Sequence, residues 1–136
     1  MLDERTKGYI AGIIDGEGSL MVYPFKTKDG YTIYQTRISV CNTKKELIDY
    51  LVKTTGIGTT RVSHTPLGKP FYYWALHSEN IRKFLPIIFP YLLLKRKQAE
   101  LLLEYLSIVK VGYKHPQGED RRVGIAAEMR RLNTVE

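Results

Sequence analysis

The fold is decided by residues 8–18, which read Gly8-Tyr9-Ile10-Ala11-Gly12-Ile13-Ile14-Asp15-Gly16-Glu17-Gly18. The apolar residues recur at helical spacing, and Asp3 is suited to cap the start of such a helix. The glycines at 16 and 18 end it, because two glycines within three residues weaken any helix. We therefore expect a first helix that ends at residues 16–18.

One face of this helix carries Gly8, Gly12 and Gly16, which recur every four residues. Each costs about 1 kcal/mol of helix propensity relative to alanine, so the stripe predicts a gain elsewhere. The usual gain is the close approach of a second helix backbone. Because the chain holds one copy of the segment, the simplest partner is the same helix of a second molecule. A tight contact within the chain is the alternative.

Two acidic residues, Asp15 and Glu17, lie at the carboxyl end of the helix. Free carbonyl groups there disfavour each acid by about 0.3–1 kcal/mol, and a bound divalent cation would reverse that sign. Carboxylate and carbonyl oxygens are the ligands that Mg²⁺ prefers. In a dimer the two Glu17 carboxylates would converge, as in a two-metal phosphoryl-transfer site. Simple solvation of the acids is the alternative.

The rest of the sequence predicts an α+β fold with the element order αββαββα and a C-terminal helical tail. The expected elements after the first helix are strands 19–26 and 31–42, a helix from Asn42 or Thr43 to about Lys53, strands 59–65 and 71–77, a helix 78–85 interrupted by Pro86 and Pro90, a long helix 92–109, a loop 112–118 and a helix 119–132. The two hairpins are expected to share one antiparallel sheet with helices on one face. We expect one domain over residues 1–136, with a core at about 6–110 and a tail at about 112–136.

Composition narrows the class of partner. The 136 residues are 43% hydrophobic, and 21 Lys and Arg outnumber 14 Asp and Glu, giving a net charge of +7. A basic domain favours nucleic acid first and an anionic membrane surface second, although charge that only aids solubility is equally compatible. Cys41 is the single cysteine, and neither a signal peptide nor a membrane span is evident. We therefore expect an intracellular protein, in cytoplasm, nucleoid or organelle, that is not secreted and has no membrane partner.

Residues 10–18 resemble the LAGLIDADG motif, with isoleucine for two leucines and Glu17 at the second acidic position. The LAGLIDADG homing endonucleases share the predicted element order, with a saddle-like sheet, and the resemblance covers about residues 6 to 110. Members with a single motif are homodimers. The resemblance implies an enzyme, carried in an intron or similar mobile element, that makes double-strand breaks in a long pseudo-palindromic DNA site. Its implied cofactor is Mg²⁺ or another divalent cation.

The resemblance also implies roles for individual residues. Glu17 and the Gly16 carbonyl would bind the metal, and Asp15 would be mainly structural. The dimer interface would hold Gly8, Ala11, Gly12 and Asp15.

Basic and polar residues complete the implied catalytic set. The stretch Pro90–Gln98 resembles the family's P-x-L-x-x-K-x-K-Q sequence, which would place Lys95 beside the metal. Without the resemblance, a solvated helix start is favoured there. Asn42 and Lys44 would arrange the attacking water, with Lys45 as the alternative to Lys44 and helix capping as the other role of Asn42.

A polar sheet face is expected to contact DNA. Side chains alternate along a strand, so Ile38 and Val40 share the core face while Gln35, Arg37 and Ser39 share the other. Periodicity leaves open whether Tyr72 and Trp74 or their neighbours are buried, and the family resemblance favours Tyr72 and Trp74 facing DNA. An ordinary solvated face is the alternative. The predicted DNA contacts are Tyr23, Lys26, Lys28, Gln35, Arg37, Ser39, Thr59, Arg61, Ser63, Tyr72 and Trp74.

Two other functions remain open from the sequence. One is an RNA-binding maturase for an intron RNA, and the other is a DNA-binding protein that does not cleave. The presence of Glu17 and Lys95 favours a nuclease, because pure binding requires no metal site.

Overall fold

The computed structural model describes residues 2–109 and 119–134. Its elements are α1 (Glu4–Glu17), β1 (Gly18–Lys26), β2 (Thr32–Asn42), α2 (Lys45–Thr55), β3 (Thr59–His64), β4 (Pro70–Leu76), α3 (Ser78–Ile88), a 3-10 turn (Phe89–Tyr91), α4 (Arg96–Val109) and α5 (Glu119–Thr134). The predicted α+β class, the αββαββα order and the helical tail are confirmed. The loop predicted at 112–118 lies outside the described residues.

The four strands form one antiparallel sheet in the order β1-β2-β4-β3. One face buries residues such as Leu20, Val40 and Trp74, which belong to the same core cluster as residues of all five described helices. The helices therefore cover one face of the sheet, as the sequence predicts. We call the opposite face, which carries residues such as Arg37 and Tyr73, the open sheet face.

Helix α1 begins and ends where local chemistry requires. The Thr6 N–H donates to the side chain of Asp3 at 2.8 Å, which confirms Asp3 as the N-cap. Ile10 and Ile14 are fully buried. At Gly18 a Cβ atom would lie 2.7 Å from the Ile14 carbonyl oxygen, so the junction with β1 requires a glycine.

Two predicted helix boundaries are wrong. Helix α3 continues through Pro86 to Ile88, because Leu85 and Ile88 on either side of the proline are anchored in the core. The long helix α4 begins at Arg96 rather than at residue 92. Residues 92–95, which follow the 3-10 turn, replace its predicted first turn, and the backbone N–H groups of residues 93–95 donate hydrogen bonds to the Asp15 carboxylate that hold this segment.

The C-terminal helix α5 braces the subunit. Ile125 and Met129 are buried in the common core, and the Asn133 side-chain amide donates to the Leu20 carbonyl on β1 at 2.9 Å. Arg121 donates to Glu104 on α4 at 2.7 Å, and this hydrogen bond lowers the pKa of the Glu104 carboxyl. Within the described residues, no helix is long and apolar enough to cross a membrane.

Candidate active site and nucleic-acid interface

The carboxyl end of α1 presents a free acid. Glu17 is exposed, and its carboxylate makes no hydrogen bond or ion pair with residues 2–109 or 119–134. Gly16 beside it is also exposed, and a Cβ atom there would meet nothing within 4 Å. The two residues predicted to bind metal therefore lie together at an accessible surface.

The carboxylate of the neighbouring acid, Asp15, is hydrogen-bonded within its own subunit. Its Oδ2 accepts the Leu93 N–H at 2.8 Å, and its Oδ1 accepts the N–H groups of Leu94 and Lys95 at 3.1 and 3.0 Å. These donors lie just before the N-terminus of α4, where a carboxylate also interacts favourably with the helix dipole. Asp15 therefore caps α4 from another helix, while its place in a dimer interface stays a prediction.

The side chain of Lys95 binds the carboxyl end of α1. Its Nζ donates to the Asp15 carbonyl oxygen at 2.7 Å, and its side chain is half-buried. A cation is favoured at the carboxyl end of a helix, where carbonyl groups lack helical partners. The sequence places Lys95 far from Glu17, yet the fold binds its ammonium group two residues before Glu17.

Asn42 and Lys44 follow the end of β2. The Asn42 Oδ1 accepts the Lys44 N–H at 2.8 Å, while Lys44 is the N-cap residue of α2 without a side-chain capping bond. The prediction that Asn42 or Thr43 caps this helix is therefore wrong, and Asn42 instead stabilises the turn before it. Lys44 and Lys45 are both exposed, and Lys45 pairs with Asp49 at 2.8 Å, which raises the pKa of Lys45.

The exposed face of α1 carries two glycines and a tyrosine. Gly12 and Gly16 are open, with nothing within 4 Å of a Cβ atom at either position, and Tyr9 on the same face is 55% exposed. Ala11 is fully buried in the subunit's own core, so its predicted place in a dimer interface is wrong. Gly8 is half-buried, and a Cβ atom there would lie 3.9 Å from Tyr91.

The sequence interpretation missed two residues beside this face. Leu93 and Leu94 are 81% and 76% exposed, and their backbone bonds to Asp15 place them next to the end of α1. Adjacent leucines before a helix resemble its buried start, so only the exposure in the folded chain distinguishes them. We name Tyr9, Gly12, Gly16, Leu93 and Leu94 the motif-helix surface.

The open sheet face carries most of the predicted DNA contacts. The register opposes Ser19 to Ser39, Met21 to Arg37, and Tyr23 to Gln35, while Thr59, Arg61 and Ser63 of β3 align with open-face residues of β4. The Tyr23 hydroxyl donates to Gln35 Oε1 at 2.8 Å. Lys26 and Lys28 are exposed at the tip of the first hairpin.

The predicted orientation of the fourth strand is wrong. Trp74 is fully buried, its Nε1–H donates to the Ile57 carbonyl at 3.0 Å, and its ring contacts Phe84 edge-on. Tyr72 shares that face and packs against the core. The aromatic residues on the open face are Phe71 and Tyr73, and Arg61 lies 4.6 Å above the Tyr73 ring. Arginine stacked on the half-buried Tyr73 of the open sheet face suits the nucleic-acid interface better than a fully buried tryptophan.

Comparison with known proteins agrees with this geometry. Residues 10–109 match the LAGLIDADG endonuclease family profile. The chain belongs to the LAGLIDADG endonuclease family. The matched region begins inside α1 and ends with α4, so it contains residues 10–17 of α1, both hairpins and Lys95.

Relatives resemble the chain in sequence and in fold. The DNA endonuclease I-CvuI of Chlorella vulgaris is 25% identical over an alignment of 109 residues. The alignment covers 77% of this chain and 66% of that protein, slightly under two thirds of its length. The structure of I-CvuI in complex with the I-CreI target, with magnesium present, has a TM-score of 0.84 at 20% identity and covers 98% of this chain and 85% of that one. A second I-CvuI complex was obtained in the presence of calcium.

Two further structures extend the comparison. The archaeal intron-encoded homing endonuclease I-Vdi141I, complexed with DNA, has a TM-score of 0.82 at 20% identity and covers 95% of this chain and 84% of that one. The meganuclease I-SmaMI has a TM-score of 0.77 at 16% identity and covers 96% of this chain but only 46% of that one. One chain of I-SmaMI therefore has room for two units of this size.

Proposed function

We propose that the protein is a site-specific homing endonuclease that binds a long pseudo-palindromic DNA site as a homodimer and hydrolyses both strands with a divalent cation. The observation that carries the proposal is the end of α1, where Glu17, whose carboxylate has no partner within residues 2–109 and 119–134, lies two residues from the carbonyl that binds Lys95. An acid and a cation at one exposed helix end fit phosphodiester hydrolysis better than binding alone.

The motif-helix surface supports the homodimer. Gly12 and Gly16 leave the backbone of α1 open to close approach, and the exposed leucines 93 and 94 add apolar area beside them. A two-fold contact places the same surface of both subunits together and brings two Glu17 residues to one axis. A two-fold protein in turn favours a pseudo-palindromic target.

The open sheet face supports DNA as the substrate. Strand β2 carries Arg37 and Gln35 on this face. Arginine and glutamine side chains can make paired hydrogen bonds to guanine and adenine, respectively, in the major groove. The chain has a net charge of +7, which favours binding to the phosphate backbone. The related I-CvuI and I-Vdi141I structures are complexes with DNA, and we extend that partner to this chain.

The residues present fit a divalent cation only as part of a larger ligand set. No group of three or more His, Cys, Asp or Glu side chains that could hold a metal occurs in residues 2–109 and 119–134. One subunit offers the Glu17 carboxylate and the Gly16 carbonyl, both hard oxygen ligands suited to Mg²⁺, and the remaining ligands would come from the partner subunit, DNA phosphates and water. A bound cation supplies Lewis-acid activation and a water of lowered pKa.

Other side chains act around the reacting phosphate. Lys95 offsets the negative charge that develops there, because its ammonium group is held at the same end of α1 as Glu17. Asn42 fixes the turn that presents Lys44, and together they order the attacking water. Lys45 is less suited to this role because Asp49 already binds it.

Selection from a library of partly randomised, palindrome-biased duplexes tests the proposal. The purified protein is incubated with the library and Mg²⁺, and the cut ends are sequenced, with Glu17→Gln as the parallel variant. We expect one long pseudo-palindrome to be cut on both strands by the wild type alone. Salt-sensitive duplex binding without cleavage would indicate the non-cleaving DNA-binding protein, and tight binding to structured intron RNA with weak duplex binding would indicate the maturase.

A further inference from the structure

We propose that Arg37 recognises a guanine in each half of the DNA target, and that Met21 and Tyr23 hold its guanidinium group for this contact. This inference rests on the proposed function, because it names one base that the open sheet face reads.

Among residues 2–109 and 119–134, the guanidinium group of Arg37 has no strong hydrogen-bond acceptor. Its Nη2 donates to Met21 Sδ at 3.1 Å, and its Nε is buried without a hydrogen-bond partner. Across residues 2–109 and 119–134, no ion pair involves Arg37. A thioether sulfur is a weak acceptor for a group with five N–H donors, so acceptors from a bound partner would improve its hydrogen bonding.

Neighbouring side chains restrict where this group can point. The Arg37 Cζ lies 5.3 Å from the centre of the Tyr23 ring, and the Tyr23 hydroxyl is bound to Gln35 at 2.8 Å. The side chains of Arg37, Tyr23 and Gln35 therefore contact one another in a row across β1 and β2 on the open sheet face. A side chain held in place before binding loses less entropy on contact, which is the property of a reader of bases rather than of a mobile surface charge.

Guanine is the base that matches this group. In the major groove its N7 and O6 atoms form a pair of acceptors that fits the planar fork of arginine. A phosphate contact is better served by the exposed lysines 26 and 28 at the hairpin tip than by a half-buried arginine in the middle of the face. The structure therefore favours base recognition by Arg37.

The register also gives an approximate place for the guanine. Met21, opposite Arg37, lies four residues beyond Glu17 along the chain. At about 3.3 Å per residue in a strand this is about 13 Å, or about four base-pair steps of 3.4 Å. We therefore expect the guanine about four base pairs outward from the cut phosphate in each half-site.

The test measures binding without divalent cation to a panel in which each base pair of the selected target is changed in turn, at several salt concentrations. The wild type is expected to prefer guanine at one position per half-site by about 5- to 150-fold, the range of a good paired contact. Arg37→Gln should lose this preference at that position alone and keep the others. Arg37→Lys, which keeps the charge but not the planar fork, should lose most of it with an unchanged salt dependence.

Lys28→Gln is the matched control because it removes one charge from the same hairpin. It should weaken binding to every target by the same factor. Because the homodimer loses one phosphate contact in each half-site, at about 0.9 per contact, the slope of log affinity against log salt concentration should fall in magnitude by about 1.8. If Arg37→Gln behaves like Lys28→Gln, Arg37 contacts a phosphate and the inference is overturned, as it is if both Arg37 variants keep the wild-type base preferences. A wild type without any sequence preference would instead overturn the proposed function.

Discussion

Asp15 and Lys95 each stabilise the helix end at which the other residue lies: the Asp15 side chain binds the start of α4, and the Lys95 side chain binds the end of α1. The Asp15 carboxylate accepts three backbone N–H groups before α4, and the Lys95 ammonium group donates to the Asp15 carbonyl at the end of α1. Each charge lies at the helix terminus that its sign favours. These hydrogen bonds join the segment that carries Lys95 to the helix that carries Glu17. Asp15 therefore fixes the position of Lys95 relative to Glu17.

Asp15→Ala tests this arrangement. We expect a loss of about 1–3 kcal/mol in the free energy of unfolding, because three backbone donors lose their acceptor. The single-turnover cleavage rate should fall by about 100-fold through misplacement of Lys95, while DNA affinity changes little. Urea unfolding and quench-flow cleavage measure the two effects. Asp49→Ala is the control, since it removes an exposed acid that pairs with Lys45 on the same helix. Equal behaviour of the two variants would contradict the positioning role.

Gly12→Leu tests the dimer contact. Because a Cβ atom at Gly12 meets nothing within 4 Å in its own subunit, the variant should fold normally, yet its side chain should prevent close packing of two α1 helices. We expect a monomer by size-exclusion chromatography with light scattering, and loss of cleavage. Gly124→Leu on α5 introduces the same side chain at another helical glycine with no neighbour within 4 Å, and it should remain dimeric. A dimeric Gly12→Leu protein would exclude this interface.

The orientation of β4 is tested by a pair of variants. Trp74→Phe should destabilise the fold by about 1–3 kcal/mol, because the Ile57 carbonyl loses its donor and the core loses volume. Its DNA affinity should stay near wild type at temperatures where it is folded. Tyr73→Ala should instead weaken DNA binding, since it removes the ring beneath Arg61. Thermal unfolding and equilibrium binding separate the two, and a Trp74→Phe protein that is stable but binds DNA poorly would reverse the assignment.

Tyr105 is expected to make the stability of the fold decrease at alkaline pH. Burial raises the pKa of its phenol, and the hydroxyl donates to the Tyr34 carbonyl. A raised pKa in the folded state means that this stabilisation is complete below the unfolded pKa of about 10 and is lost as pH rises through the folded value. The urea midpoint should therefore decline above about pH 9.5 more steeply for the wild type than for Tyr105→Phe. Parallel declines would show that the pKa of Tyr105 is the same in the folded and unfolded states, which would contradict the effect of burial.

Local sequence chemistry predicts much of the fold and part of the site. The cap at Asp3, the glycine stripe and the alternation around Arg37 each depend on residues a few positions apart. Their consequences, a helix end and a polar sheet face, are therefore visible in the sequence. The element order followed from the same patterns.

Other features depend on distant partners. Alternation separates Tyr73 from Trp74 but does not say which face is buried, and the bond from Trp74 to Ile57 decides it only in the folded chain. The capping of α4 by Asp15 joins residues almost eighty positions apart, and no local pattern indicates it. The exposure of Leu93 and Leu94 follows from that same capping.

Strand-resolved cleavage of the selected duplex by wild type and Glu17→Gln, over a Mg²⁺ titration with binding measured in parallel, tests the central claim most directly. We predict Mg²⁺-dependent cutting of both strands by the wild type, and none by Glu17→Gln despite DNA affinity close to wild type. Cleavage by Glu17→Gln at the wild-type rate, or equal cleavage by the wild type in excess chelator, would contradict the assignment of Glu17 as the metal-binding acid of a DNA endonuclease.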